Sequence, residues 1–446
     1  MTPTTHPTSP SAGPGTPGRR EIEHWQTEHL AGTAEHVIGR SPYWARRFRE
    51  AGMSAANVRT PADLYRCPTL TKRDYIQALE ESPGDYGGLL TAGVREIGES
   101  GALIYHTTGT SGMQGRFINT HEGFGVFGAQ GSGLLREAGA LPGDFVLFNF
   151  PLSLWAAGWG LYYGARRLNC TVIPAGAPLD TAARIQLLKD YRPSVVALTP
   201  SYALTLGAAL AAAGVEPAAC GVKGLLMGGE TFSASKRARI EDLWGIPGGT
   251  RDFYGISEGG PLFAVECSAQ NGLHLFERDT IHQFWNPERN EPAAPGDLAE
   301  HVFTSISQRT MATWFNFRTR DGAVYTDEPC ACGNPGRRMW IKERLDDMVK
   351  VRGVNIFASA VEQILSGVGG ASPQFRLKVE RVDEHDIVTV ELEPLRGMDH
   401  RDLSGRAAAA LKTAIGTRLD VAVVDPGTLP TTELKARRWL DLRPKD

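Results

Sequence analysis

Four short apolar runs constrain this chain more than any other feature. DFVLFNF (144–150), CTVIPAG (170–176), SVVALTP (194–200) and GLLMGGE (224–230) alternate with helical segments. A strand that is apolar on both faces needs cover on both sides, so this alternation implies a mostly parallel sheet with helices on each face. Each run meets Pro or Gly at its C-terminal edge, and that edge is where open α/β sheets place their ligands. One intervening helical segment, TAARIQLLKDY, stops just before Arg192-Pro193.

The flanks read differently. Residues 1–20 lack an apolar core and read as a disordered tail, whereas residues 21–80 carry apolar groups at helical spacing. Thr71 and Asp74 form a capping pair that opens a helix. Residues 272–345 are rich in turns and alternating strands, the pattern of an antiparallel, barrel-like subdomain. After Arg344 a mixture of strands and helices fits a small α+β domain. The expected fold class is therefore α/β: an N-terminal domain over 21–344 with mostly parallel sheets plus the antiparallel part, then a C-terminal α+β domain over 345–446.

A chain of 446 residues with net charge -3 has no basic excess for phosphate neutralisation, which argues against nucleic acid. No run of about 18 apolar residues offers a membrane span. Six unevenly spaced cysteines are not a secreted disulfide framework, so a reducing cytoplasm is expected.

Chemistry concentrates in a few strings. YHTTGTSGMQGRF places Thr107, Thr108, Gly109, Thr110, Ser111 and Gly112 in succession. Glycines let backbone N–H groups converge on an anion and hydroxyls add donors, a cradle for phosphate oxygens. It lacks the terminal Gly-Lys-Ser/Thr of a P-loop, and alone it equally describes a flexible turn. DFYGISEGG adds Asp252, Phe253, Tyr254, Gly255, Ser257 and Glu258. An aromatic face there can stack on a purine, and a carboxylate beside a hydroxyl can hold magnesium. Gly228, Gly229 and Glu230 close a buried strand where a ligand can approach the backbone.

Together these strings resemble the phenylacetate–CoA ligase family of the adenylate-forming superfamily, over nearly the whole chain after the tail. PADLYRCPTLTKRDY, FRTRDG, ERLDDMVKVRGVNIFASAVE and LPTTELKARRWLDLR carry the remainder of the likeness. The resemblance implies ATP-dependent conversion of a carboxylic acid to an acyl adenylate, then transfer to the thiol of coenzyme A. It implies that residues 107–112 hold the β- and γ-phosphates, Glu258 binds Mg2+ and Tyr254 stacks on adenine. Asp321, helped by Arg344, would bind the ribose hydroxyls. Lys435, otherwise a solvated lysine in a basic tail, would reach the reacting carboxylate and α-phosphate from a mobile C-terminal domain. Asp346 would be its hinge, and Gly353 would line the tunnel for coenzyme A. Two residues depart from the family pattern: Gln114 where many relatives carry lysine, and Glu343 where glycine is commoner.

Cys267, His274, Cys330 and Cys332 offer three thiolates and an imidazole, a donor set for tetrahedral structural Zn2+. Separate reduced cysteines are the alternative. For the acid, Phe150, Trp155, Gly158, Gly228, Tyr254 and Gly255 combine aromatic faces with small residues and suit a flat ring, a phenylacetate or a hydroxy- or amino-benzoate. Core packing accounts for the same aromatics equally well. The acceptor stays open between coenzyme A, a carrier-protein thiol and an amine. A non-catalytic nucleotide-binding protein is the remaining alternative, and homodimerisation stays open.

Overall fold

The computed structural model describes residues 18–107, 115–176, 178–258, 260–345, 349–351, 354–382, 385–395, 397–429 and 438–443. These fall into two compact units, divided between Ile341 and Lys342.

The first unit opens with helices α1 (Arg19–Arg40), α2 (Pro42–Glu50) and α3 (Lys72–Glu81). α1 begins inside the expected tail, because Arg19 has partners: Glu23 one turn on and the buried Glu277 at 2.6 Å. Glu21 also accepts from the Gly18 N–H, satisfying one of the helix's first free donors. α3 opens as expected, with Thr71 Oγ1 accepting from Asp74 N and the Asp74 carboxylate accepting from Thr71 N. The residues just before it form a short strand, β1 (Leu70–Thr71), which adds in parallel to the main sheet at Phe317–Arg318.

Next come α4 (Val94–Ser100) and a hairpin of β2 (Ala102–His106) and β3 (Arg116–Thr120), followed by α5 (His121–Glu137). The four apolar runs become β4 (Phe145–Phe148), β5 (Thr171–Pro174), β6 (Val195–Leu198) and β7 (Gly224–Gly228). Between and after them lie α6 (Ala156–Arg167), α7 (Thr181–Tyr191), α8 (Pro200–Ala212) and α9 (Ala234–Trp244). With β8 (Thr250–Ile256) the strands run parallel in the order β5-β4-β6-β7-β8. Alternate residues serve opposite faces. Val146, Phe148, Val195, Ala197 and Leu226 pack with Leu134, Leu161 and Ala165 of α5 and α6. Leu147, Val196, Leu198, Leu225 and Met227 pack with Leu188, Leu206, Leu210 and Trp244 of α7–α9. Both faces are covered, which is why the runs lack polar alternation. α7 ends at Arg192 in a left-handed conformation (φ 47°), the turn imposed where Pro193 excludes further helix.

The turn-rich region supplies β9 (Gly260–Glu266), β10 (Leu273–Leu275), β11 (Thr280–Trp285), β12 (Ala299–Ser305), β13 (Phe317–Thr326) and β14 (Arg338–Arg344). The antiparallel strands are not a separate sheet. β9 pairs antiparallel with β8, so one hydrogen-bonded path joins both halves in a 12-stranded sheet.

The second unit contains a β15 (Val349–Val351) and β16 (Val354–Ile356) hairpin, α10 (Ala358–Ser366), β17 (Ala371–Val382), β18 (His385–Pro394) and α11 (His400–Ile415). β19 (Asp420–Val423) and β20 (Trp439–Asp441) complete a four-stranded sheet ordered β19-β18-β17-β20. Its core joins Val361 and Leu365 of α10 and Leu403, Ala407 and Leu411 of α11 to Leu377, Val379, Val390 and Leu392.

Candidate active site

Thr107 closes the β2–β3 hairpin at its base: its N–H donates to Gly115 O at 3.0 Å, and its Oγ1 accepts from Gly115 N at 3.1 Å. The loop is thus pinned at its neck. Thr108, Gly109, Thr110, Ser111, Gly112 and Gln114 lie outside the described residues, as do Asp346, Gly353 and Lys435. One residue before the neck, His106 N donates to Leu154 O at 2.8 Å, tying the hairpin to the segment after β4 that carries Trp155.

Glu258 stands in the turn after β8 with its side chain only 10% exposed. A buried carboxylate needs a partner, and Lys72 Nζ supplies one at 3.1 Å. Lys72 is the first residue of α3, so β1 pairing and the Thr71 cap together aim it at the end of β8. Thr313 Oγ1 fixes the same turn by donating to Glu258 O at 2.8 Å. Tyr105, next to the hairpin neck, is buried, and desolvation followed by the nearby Glu258 charge pushes its hydroxyl upward. The hairpin and Glu258 therefore share one neighbourhood. Lys72 was not among the expected site residues; the one signal it carries in the sequence is its place at the first helical position behind the Thr71–Asp74 cap.

Tyr254, on β8, donates from its hydroxyl to Asp321 Oδ2 on β13 at 2.5 Å. The sequence-predicted adenine and ribose residues thus meet across the sheet. His301 Nδ1 lies 3.4 Å from the same hydroxyl, and His301 Nε2 lies 2.9 Å from His282 Nδ1. Burial holds His301 near pKa 3 and His282 well below its ordinary value, so both rings are neutral. Asp252, earlier on β8, is desolvated beside Glu266, and both effects raise its carboxyl well above the usual range. Glu266 is itself held by Arg237 and accepts from Asp252 N.

Other expected residues take structural partners. Glu230 accepts from Ser201 Oγ at 2.6 Å and Ser201 N at 3.2 Å, capping α8, with Lys236 nearby. Gly229 turns the chain with φ 83°. Phe150 and Phe253 are buried and meet edge to face at 5.8 Å. Gly228 makes this possible, since a Cβ there would sit 2.6 Å from the Phe253 ring. Gly158 similarly admits the Pro151 carbonyl, 2.4 Å from where its Cβ would be. Phe150 is thus a core residue of the sheet edge, and Trp155 is half-buried. Gly255 falls where β8 and β9 shift register, Ser257 follows in the turn, and Arg344 ends β14.

Cys267 follows β9, His274 lies in β10, and Cys330 and Cys332 lie between β13 and β14. The four ligand atoms lie within 4.8 Å of one another. Cys267 Sγ is 3.7 Å from Cys330 Sγ, and Cys332 Sγ is 3.4 Å from His274 Nε2. Burial pushes the Cys267 thiol to about 12 and the His274 imidazole down to about 4. Three thiols and a neutral imidazole this close together form a donor set that fits a tetrahedral metal.

The family model for the AMP-binding enzyme C-terminal domain matches residues 353–443. The chain is 30% identical to the phenylacetate-coenzyme A ligase of Thermus thermophilus, over 95% of this chain and 97% of that protein. It is also 30% identical to the phenylacetate-coenzyme A ligase of Escherichia coli, over 95% of each. Among solved structures, 2-hydroxyisobutyryl-CoA ligase in the postadenylation state in complex with 2-HIB-AMP matches with a TM-score of 0.85. That match has 23% identity and covers 96% of this chain and 90% of the other, a likeness of fold.

Proposed function

The chain belongs to the phenylacetate–coenzyme A ligase family, and from that premise we propose that it activates an aryl carboxylic acid with ATP and transfers the acyl group to coenzyme A. In the first half-reaction a carboxylate oxygen bonds to the α-phosphorus and pyrophosphate leaves. In the second the coenzyme A thiol, losing its proton, bonds to the acyl carbon and AMP leaves. The physical difficulty lies in the first: one anion must approach another. Residues that hold the nucleotide still and carry positive charge lower that barrier.

The observation that carries the reading is the Tyr254–Asp321 hydrogen bond, with a half-buried aromatic and a carboxylate joined on one sheet. Tyr254 presents the ring for the adenine and Asp321 accepts from the ribose hydroxyls. Thr107 and the hairpin it closes receive the phosphates, and Lys72 supplies an ammonium that a loop with Gln114 in place of lysine does not. Glu258 is the residue to hold Mg2+, which when bound supplies charge to the triphosphate. Lys435 is the residue that the family resemblance assigns to neutralising charge on the reacting carboxylate and α-phosphate. Trp155 and Tyr254 offer aromatic faces for an aryl acid, and the names of the relatives support that substrate class. Cys267, His274, Cys330 and Cys332 hold a structural Zn2+ that clamps the β9–β10 and β13–β14 connections.

Pyrophosphate release with a panel of phenylacetates and substituted benzoates, with and without coenzyme A, tests the reading. Acid-dependent release with stoichiometric loss of free thiol is expected. Release without thiol loss would transfer the acyl group to another acceptor, and no acid-dependent release would overturn the proposal.

A further inference from the structure

Between Glu300 and Val302 the β12–β13 pairing slips: Glu300 faces Gly322 whereas Val302 faces Arg318. The residues left over on β13 form a bulge, a device that re-aims a side chain out of the regular pleat. Within it Arg320 adopts φ 62°, a left-handed conformation that non-glycine residues seldom take and that surrounding contacts must hold in place. Asp321 is the next residue.

The contacts holding the bulge come from two consecutive residues of β12. Glu300 is fully buried. Its Oε2 accepts from Arg318 Nη2 at 2.5 Å and Arg318 Nε at 3.1 Å, and from Arg320 Nη1 at 3.3 Å. Its Oε1 accepts from the Arg320 backbone N–H at 3.3 Å, the peptide of the strained residue itself. His301 then holds the other side. Its carbonyl accepts from Thr319 Oγ1 at 2.7 Å, and that hydroxyl accepts from Asp321 N at 3.0 Å. Its ring reaches the Tyr254 hydroxyl and is backed by His282, among Phe263, Phe284 and Phe303.

A regular strand needs none of this. A buried carboxylate that takes two arginines and a backbone N–H is a large concentration of polar contact at one sheet position, and it converges on the residue before Asp321. We propose that Glu300 and His301 are positioning residues: they hold the bulge so that Asp321 and Tyr254 stay joined, and thereby set how strongly the site distinguishes a ribonucleotide from a deoxyribonucleotide. The inference rests on the assignment of Asp321 to the ribose. Both residues are fully buried, so they would act through Asp321 and Tyr254 rather than on the nucleotide directly.

The test compares binding of ATP and 2′-deoxy-ATP by calorimetry, which needs no acid substrate. The wild-type chain prefers ATP, and Asp321→Asn removes most of that preference. Glu300→Gln keeps the shape but weakens the hold on both arginines; it narrows the preference by about tenfold, the scale of one charge-assisted hydrogen bond. His301→Phe, which keeps aromatic packing, narrows it too. His301→Asn, whose amide falls near the lost Nδ1, restores part of it. Melting temperatures read the structural contribution separately.

Glu300→Gln and His301→Phe chains that melt lower yet keep the full preference would make both residues structural and overturn the inference. An Asp321→Asn chain with undiminished preference would instead remove the ribose assignment, and the inference with it. A changed preference in Asp321→Asn alone leaves that assignment standing and sinks only the positioning role.

Discussion

Lys72 Nζ and Glu258 Oε1 lie 3.1 Å apart, one partner 41% exposed and the other 10%. An ion pair with one exposed member contributes little to stability, about 1 kcal/mol or less, so its position matters more than its strength. Lys72→Met should lower the melting temperature by only a few degrees while weakening ATP binding by about tenfold, the scale of one charged hydrogen bond. Titration calorimetry with MgATP measures the second effect, and unchanged affinity would confine Lys72 to a structural role. The buried histidines make a prediction about acid. Desolvation holds the His301 imidazole near 3 and His282 well below 6.5, so the folded chain keeps them neutral where the unfolded chain protonates. Their contribution to stability is complete above about pH 6.5 and is lost as pH falls towards the folded values, with a limiting slope of about 1.4 kcal/mol per pH unit for each ring. Urea midpoints between pH 7.5 and 4 should fall steeply in the wild type and less steeply in His301→Phe. Equal slopes would mean His301 is not the group titrating. Neither residue was legible beforehand. A lysine after a helix cap and a histidine in a strand read as surface and core until strand pairing shows what they face.

At the scale of elements, what was legible was local. The Thr71–Asp74 cap needs only residues three apart, and the four apolar runs need only the period of a buried strand, so both were readable from the chain alone. The β8–β9 junction was not. Antiparallel pairing there joins the two halves into one sheet, and no local pattern distinguishes that from two sheets. Phe150 shows the same limit: an aromatic at a strand's end fits a ligand pocket or a core, and only the folded chain shows that it packs edge to face on Phe253, 5.8 Å away, beside Gly228. The cysteine quartet was legible as a donor set, but its closure within 4.8 Å depends on β9 and β10 pairing beside the β13–β14 connection. Purified chain should carry one zinc per molecule by plasma mass spectrometry. Cys267→Ser or Cys330→Ser should lose it and lower stability by several kcal/mol, the order expected for a structural site. ATP affinity should fall little, because the quartet holds connections rather than the nucleotide. Wild-type chain free of metal, with melting unchanged by either substitution, would reduce the quartet to buried thiols.

The whole molecule divides between Ile341 and Lys342, inside β14, so the second unit begins part-way through a strand whose start pairs with β10. The residues proposed to handle the nucleotide are distributed unevenly over this division. Thr107, Lys72, Tyr254, Glu258 and Asp321 belong to the first unit, whereas Lys435 belongs by sequence to the second. That partition is compatible with one half-reaction depending on a residue that the other does not use. An ammonium that neutralises charge between a carboxylate and the α-phosphate is needed while the acyl–phosphate bond forms. Once the adenylate exists, the thiol attacks the acyl carbon, and the charge that then develops on the carbonyl oxygen and the departing AMP need not be met by the same ammonium. Lys435→Ala should therefore cut acid-dependent pyrophosphate release by about a hundredfold or more, the scale of losing one electrostatic contact to the transition state. Thioester formation from a chemically prepared aryl adenylate should remain within about threefold of wild type, since a residue idle in that step lowers no barrier there. Glu258→Gln, placed in the first unit, gives the contrast by weakening the ATP-dependent step alone through loss of affinity for MgATP. A Lys435→Ala chain impaired equally in both half-reactions would show that the lysine serves the site throughout, and the division of labour between the two units would have to be abandoned.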